Sequence, residues 1–237
     1  MTGRMIDFDA GGSTAPGYLA TPDGAAGAGG PGVVVLHAWW GLTEPFRQAC
    51  DRLAEAGFVA LAPDLYRGKT TASVEEADVL AGALDQEQAG GDIVGAAQFL
   101  RNHPATVAAP SADGRGALAI IGFSLGGAFA FESSVSLADE IAAIVTFYAT
   151  YTGPDYSRAQ AAYLCHFAEN DPFEPAESVA ELEQALQTAG RQTTFYTYPG
   201  TTHWFFEANR PDAYNAAAAT LAWERTLDFL NTELRRG

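Results

Sequence analysis

Ser124 stands between Gly122 and Gly126 in the run GFSLGG at 122–127. A hydroxyl at the centre of G-x-S-x-G suits a nucleophile raised at a sharp strand-to-helix turn. The flanking glycines remove side chains that would clash as the chain reverses. The backbone N–H of the next residue, Leu125, then points at the charge that develops on an attacked carbonyl oxygen. In a chain with 25 glycines the pattern counts only in context. Here the apolar run ALAII precedes it, and LGGAFAFESS follows with helical character. The competing reading is a glycine-rich turn that cradles a dinucleotide. That turn wants G-x-G-x-x-G after an early strand, and Phe123 and Ser124 stand where its glycine spacing would fall.

A serine of this kind needs a histidine to take its proton, and the histidine needs an acid to fix its tautomer. The expected chain order for such an elbow is serine, then acid, then histidine. Of the four histidines, His37 and His103 precede Ser124, and His166 sits inside a strand-like run where a packing role is expected. His203 lies in YPGTTHWFF, a loop between the last strand-like run and the last helical stretch. The acid belongs at the carboxyl end of the preceding strand, in FAENDPFEP. Asp171 is favoured there, because Pro172 and Pro175 bound its turn and a short acid is held rigidly; Glu169 is its rival.

These residues must be carried by a repeating frame. Strand-like runs at 33–39, 58–66, 117–123, 141–148, 161–169 and 192–199 alternate with helical stretches. The helical stretches are placed at 45–56, at 73–101 with a break near Gly90 and Gly91, at 124–138, at 175–189 and at 209–234. Strands separated by helices require parallel pairing through right-handed crossovers. RMIDFD and GYLAT lie close together and suit an antiparallel hairpin on the sheet edge. The expectation is an α/β protein with a mostly parallel, doubly wound sheet and helices on both faces. The glycine- and alanine-rich stretch at 24–32 reads as an exposed loop, and one domain over residues 1–237 is expected.

Composition narrows the function. The 13 Lys and Arg against 29 Asp and Glu leave a net charge of −16. Such a field repels phosphate backbones and anionic membrane surfaces, so neither nucleic acid nor membrane is an expected partner. No apolar run is long enough to span a bilayer, and the first residues carry no apolar secretory core. Cys50 and Cys165 are expected as reduced, buried small side chains, and the cytoplasm as the address. No cofactor or metal is expected, and the chain is expected as a monomer or small homo-oligomer.

Taken together, VVVLHAWWGL, APDLYRG, GFSLGGAFAF, HFAENDPFEP, YPGTTHW and ERTLDFL resemble the dienelactone hydrolase family along nearly the whole length. The resemblance implies an α/β-hydrolase fold without a large lid, acting on small esters or lactones. It also implies an oxyanion hole of backbone N–H groups, here those of Trp39 and Leu125. The enzymes that gave the family its name carry a cysteine nucleophile, where this chain has Ser124. They carry a glutamate against the resting thiol, where this chain has Ala38, and a substrate-binding arginine after the histidine, where it has Glu207. The two changes at the nucleophile agree with each other. A serine is not held as an ion at rest, so a neighbouring carboxylate would be desolvated without benefit.

The expected chemistry is therefore acyl transfer to water through Ser124, His203 and Asp171. A neutral ester fits better than a carboxylated lactone beside Trp39, Trp40, Phe123, Tyr148, Trp204 and Phe205, for which plain packing is the alternative role. Two other readings keep the same frame. One is a non-catalytic ligand pocket, against which the complete set of three residues argues. The other is a peptidase or acyltransferase using the same three residues; the short 149–160 segment leaves little room for a cap that selects peptides.

Overall fold

The computed structural model describes residues 3–22, 29–107 and 117–235. Most of the glycine- and alanine-rich stretch at 24–32 lies outside them. Among the described residues eight strands form one sheet: β1 (Arg4–Asp9), β2 (Thr14–Ala20), β3 (Gly32–Leu36), β4 (Val59–Pro63), β5 (Leu118–Phe123), β6 (Ile141–Phe147), β7 (Ala162–Asn170) and β8 (Thr193–Thr202). Their order across the sheet is β1-β2-β4-β3-β5-β6-β7-β8. β1 and β2 form the expected antiparallel hairpin at the edge, β2 pairs antiparallel with β4, and the other neighbours are parallel.

Among the described residues the six α-helices are α1 (Glu44–Glu55), α2 (Val74–Gly82), α3 (Gln86–Asn102), α4 (Leu125–Ser136), α5 (Ala176–Thr188) and α6 (Ala216–Leu234). Strand alternation sends Val33, Val35 and Ile121 into one core, where they meet Phe46 and Leu53 of α1 and Trp223 and Leu230 of α6. Val34, Leu36 and Ile120 face the other, against Ile93 of α3, Phe131 of α4 and Leu182 of α5. The central strands are buried throughout, as a sheet covered on both faces requires. Cys50 and Cys165 are free, and they fall in these two cores on opposite faces of the sheet. Between β6 and β7 the chain carries only a 3₁₀ turn at Tyr156–Arg158, so no large lid is inserted there.

Two helix boundaries differ from the sequence reading. The break in the 73–101 stretch falls between α2 and α3, at 83–85, and Gly90 and Gly91 lie inside α3. The Asp85 carboxylate accepts the Gln88 N–H at 3.0 Å and starts the new helix. That cap, with tertiary packing, outweighs the roughly 1 kcal/mol that each interior glycine costs relative to alanine. The closing helix begins at Ala216 rather than 209. The Asn215 side chain accepts the Ala218 N–H at 3.1 Å, and the preceding residues form turns against Glu207 and Arg210. No helix among the described residues is long and apolar enough to cross a membrane.

Candidate active site

Ser124 follows the last residue of β5 and precedes the first of α4. Its backbone takes φ 49°, ψ −114°, a conformation that costs a side-chain-bearing residue about 1–3 kcal/mol. The surrounding structure holds it there. The Ser124 N–H donates to the Phe147 carbonyl at 3.0 Å, and Gly127 N–H donates to the Ser124 carbonyl at 2.7 Å. The glycines serve close approach rather than unusual dihedrals. A Cβ on Gly126 would collide with the Leu36 carbonyl oxygen and come within 2.7 Å of that of His37. One on Gly122 would strike the backbone of Gly126, and one on Gly127 the methyl of Ala149. The start of α4 is thereby pressed against the end of β3.

His203 arrives at the same carboxyl edge of the sheet, from its outermost strand β8. β7 and β8 pair in parallel, and Asn170 stands opposite Thr202 after a register shift. The residues that follow each, Asp171 and His203, are thus delivered side by side. β8 runs three residues beyond the sequence estimate, so His203 directly follows the strand instead of lying inside a loop. His203 Nδ1 lies 2.9 and 2.8 Å from the two Asp171 oxygens, and its Nε2 lies 3.0 Å from Ser124 Oγ. A carboxylate only accepts, so the shared proton sits on Nδ1, and Nε2 is left to accept from the serine hydroxyl. Both side chains of the Asp171–His203 pair are almost wholly buried.

Asp171 Oδ1 also accepts the N–H groups of Phe173 at 2.9 Å and Glu174 at 3.1 Å, which fix the carboxylate in its proline-bounded turn. The rival acid, Glu169, is exposed and accepts the Gly200 N–H at 2.9 Å, tying β7 to the bend in β8. The other three histidines have structural partners. His37 Nδ1 donates to the Ala38 carbonyl at 2.7 Å, and its Nε2 accepts the Leu65 N–H at 3.1 Å. His103 Nδ1 accepts the Ala105 N–H. His166 lies between the hydroxyls of Tyr198 and Thr226, and burial pushes its pKa down to about 3.

Leu125 is the first residue of α4, and its N–H meets no acceptor among the described residues; neither does that of Trp39, in the turn after β3. Since Gly126 touches the end of β3, these two free donors come from adjoining segments. Helix α4 adds the positive end of its dipole. An aromatic wall surrounds His203. The ring centroids of Phe173 and Tyr148 each lie 4.8 Å from the imidazole, and that of Trp204 lies 5.1 Å away. Trp39 stacks on Trp204 at 6.1 Å and meets Phe173 edge-on at 5.9 Å.

The expected substrate-contacting residues divide in two. Trp204 keeps exposed surface, as does Trp39. Trp40, Phe123, Tyr148 and Phe205 are at most 1% exposed and act as packing in this structure. Phe123 stacks on Phe147 at 4.7 Å, within the core. Phe173, 48% exposed and set against the His203 imidazole, escaped the sequence reading; its place two residues after Asp171 was the available signal.

Two carboxyls near the site are perturbed. Glu174 is pushed up to about 7, by burial first, with the Asp171 charge adding and the Thr150 hydroxyl opposing. Glu207 is fully buried and accepts the Tyr148 hydroxyl at 2.7 Å. Burial raises it to about 8 against the opposing pull of Tyr148, Arg210 and Trp40. Arg210 itself lies over Trp40 and Trp204, 4.4 and 4.9 Å from their ring centroids. It donates to the Ala72 carbonyl and to Asp212. Among the described residues no cluster of three or more His, Cys, Asp or Glu is arranged to hold a metal.

Known proteins are similar to this chain. Protein usf of Aquifex pyrophilus is 31% identical over 98% of this chain and 99% of its own. A protein of Aquifex aeolicus named "Putative carboxymethylenebutenolidase" is 29% identical over 98% and 100%. The crystal structure of a dienelactone hydrolase-like promiscuous phosphotriesterase from metagenomic libraries covers 98% of both chains at 22% identity, with a TM-score of 0.79, a likeness of fold. The model of the dienelactone hydrolase family matches residues 15–234. With an eight-stranded α/β-hydrolase sheet and a match over nearly all of its length, the chain belongs to the dienelactone hydrolase family.

Proposed function

We propose that this hydrolase cleaves small esters or lactones through an acyl-enzyme on Ser124, and that one domain carries the whole reaction. The observation that carries the reading is the unbroken relay from Ser124 Oγ to His203 Nε2 at 3.0 Å and from His203 Nδ1 to Asp171 at 2.8 Å. His203 takes the hydroxyl proton as Ser124 Oγ bonds to the substrate carbonyl carbon, and Asp171 stabilises the imidazolium. The carbonyl π electrons move to oxygen, where the N–H groups of Trp39 and Leu125 receive the charge. Collapse of the tetrahedral intermediate breaks the ester C–O bond, and His203 returns its proton to the departing alkoxide. Water, deprotonated by His203, then attacks the acyl carbon and releases the acid and free Ser124.

Ala38 supports the serine chemistry. Its methyl is fully buried and brings no charged group to the segment after β3, and a serine hydroxyl is neutral at rest. The named activity of the Aquifex aeolicus relative makes a lactone a substrate to test beside open-chain esters.

The experiment is a hydrolysis screen of short-chain aryl esters with neutral and carboxylated lactones, run on wild type, Ser124→Ala, Asp171→Asn and Glu169→Gln. Ser124→Ala and Asp171→Asn are each expected to lower kcat by about 10⁴-fold, with Glu169→Gln within about threefold of wild type. Turnover that survives Ser124→Ala, or that depends on Glu169 and not Asp171, overturns the assignment.

A further inference from the structure

A cleft of about 700 Å³ opens between α3 and α4, within the size range of small-molecule sites. Leu125 lines it. That residue directly follows Ser124 and supplies one of the two free N–H donors, so the cleft begins one residue from the proposed nucleophile. From there it follows α4 past Ala128 and Phe129 to Ser136, about 16 Å at 1.5 Å per residue. Ile93 and Val94 of α3 form the facing wall, and Tyr151 stands at its edge. Glu87 and Glu132 are the charged residues among those that line it, and both are exposed.

We propose that this cleft takes the unbranched apolar arm of an uncharged ester, making medium-chain esters the preferred substrates. This rests on the Ser124 reading above. The walls offer aliphatic and aromatic contact along the length of an extended chain. A substrate carboxylate carried on that arm would meet Glu87 and Glu132 with no cation among the lining residues to offset them. Full burial of a methylene is worth about fourfold in affinity; a cleft open along one side covers about half of it, giving about twofold per methylene.

Gly90 provides the test. It lines the cleft, and a Cβ placed on it meets nothing within 4 Å, so a side chain can start there without a clash at its first carbon, and a leucine adds bulk at the cleft wall. Gly91 likewise meets nothing within 4 Å, but it is exposed and does not line the cleft. Gly91→Leu therefore carries the same gain in helix propensity and serves as the control. Nitrophenyl acetate, butyrate, hexanoate and octanoate would be compared by kcat/KM, with a carboxyl-terminated acyl ester and a parallel set of alkyl acetates. The wild type is expected to gain about twofold per methylene in whichever arm, acyl or alkyl, enters the cleft, and to discriminate against the carboxylated arm. In that arm, Gly90→Leu should bring the eight-carbon-to-two-carbon ratio down at least fivefold, while Gly91→Leu keeps the wild-type ratio.

A flat series in both arms, or equal loss of the ratio in the two variants, overturns the proposal. If short esters are still cleaved and Ser124→Ala abolishes this, the serine reading survives that failure. If no ester is turned over at all, the cleft is decided by saturable binding of 1-octanol. Binding lost in Gly90→Leu and kept in Gly91→Leu supports the cleft; no binding, or binding unaffected by Gly90→Leu, overturns it.

Discussion

Beneath His203 the ring of Tyr148 packs against the imidazole, and its hydroxyl reaches down to Glu207, a carboxyl closed off from water. The ordinary pKa of that carboxyl is 4.5, and burial raises it to about 8. Between those pH values the folded chain keeps a proton that the unfolded chain has lost, so stability falls as pH climbs through this window and levels off above it. Glu207→Gln keeps the shape and removes the titration. Its unfolding midpoint is expected to exceed that of the wild type by clearly more at about pH 9 than at about pH 5. An equal offset at the two pH values contradicts the buried neutral carboxyl. Nothing near Glu207 in the sequence announces its burial; Tyr148 and Trp40 close over it from 59 residues or more away. That Ser124, Asp171 and His203 come together was legible, because their identities and chain order single them out. The fate of Trp40, Phe123, Tyr148 and Phe205 was not, because aromatic residue type does not say which side of the wall a ring faces.

Among the elements, the elbow joins backbone strain to glycine packing. Gly126 has ordinary helical dihedrals, so its requirement comes wholly from the Leu36 and His37 carbonyls that leave no room for a methyl. Gly126→Ala is expected to lower stability by about 1–3 kcal/mol in urea unfolding, by the cost of overpacking, and to depress kcat by moving the Leu125 N–H. Unchanged stability and turnover would show that the approach of α4 to β3 is slack. The alternation of apolar runs and helical stretches made the strands and their parallel pairing readable, since each central strand is buried on both faces. Boundaries were harder. Gly90 and Gly91 resembled a break, yet Asp85 sets it five residues earlier, because a capping carboxylate starts a helix whereas a glycine only weakens one. The extension of β8 to Thr202 depends on pairing with Asn170, a contact that no local pattern encodes.

Over the whole molecule, the net charge of −16 gives substrates a field to cross before they reach any of these groups. At an ionic strength of about 0.01 M the screening length is about 30 Å, comparable with a small domain, and at about 1 M it is about 3 Å. The kcat/KM of a cationic ester relative to an anionic ester of equal chain length is therefore expected to be high in dilute buffer and to fall severalfold on adding salt. A ratio indifferent to salt means that local contacts outweigh the field. The fold class and the sign of this field follow from composition and pattern, whereas the cleft between α3 and α4 emerges only once two helices are set side by side. The proposed mechanism makes Ser124 Oγ the atom that becomes covalently bonded. Its most direct measurement is intact-mass spectrometry after a fluorophosphonate treatment, with peptide mapping and Ser124→Ala in parallel. The expected result is one adduct per chain, mapped to Ser124 and absent from the variant; an unlabelled folded wild type, or an equally labelled Ser124→Ala, would contradict it.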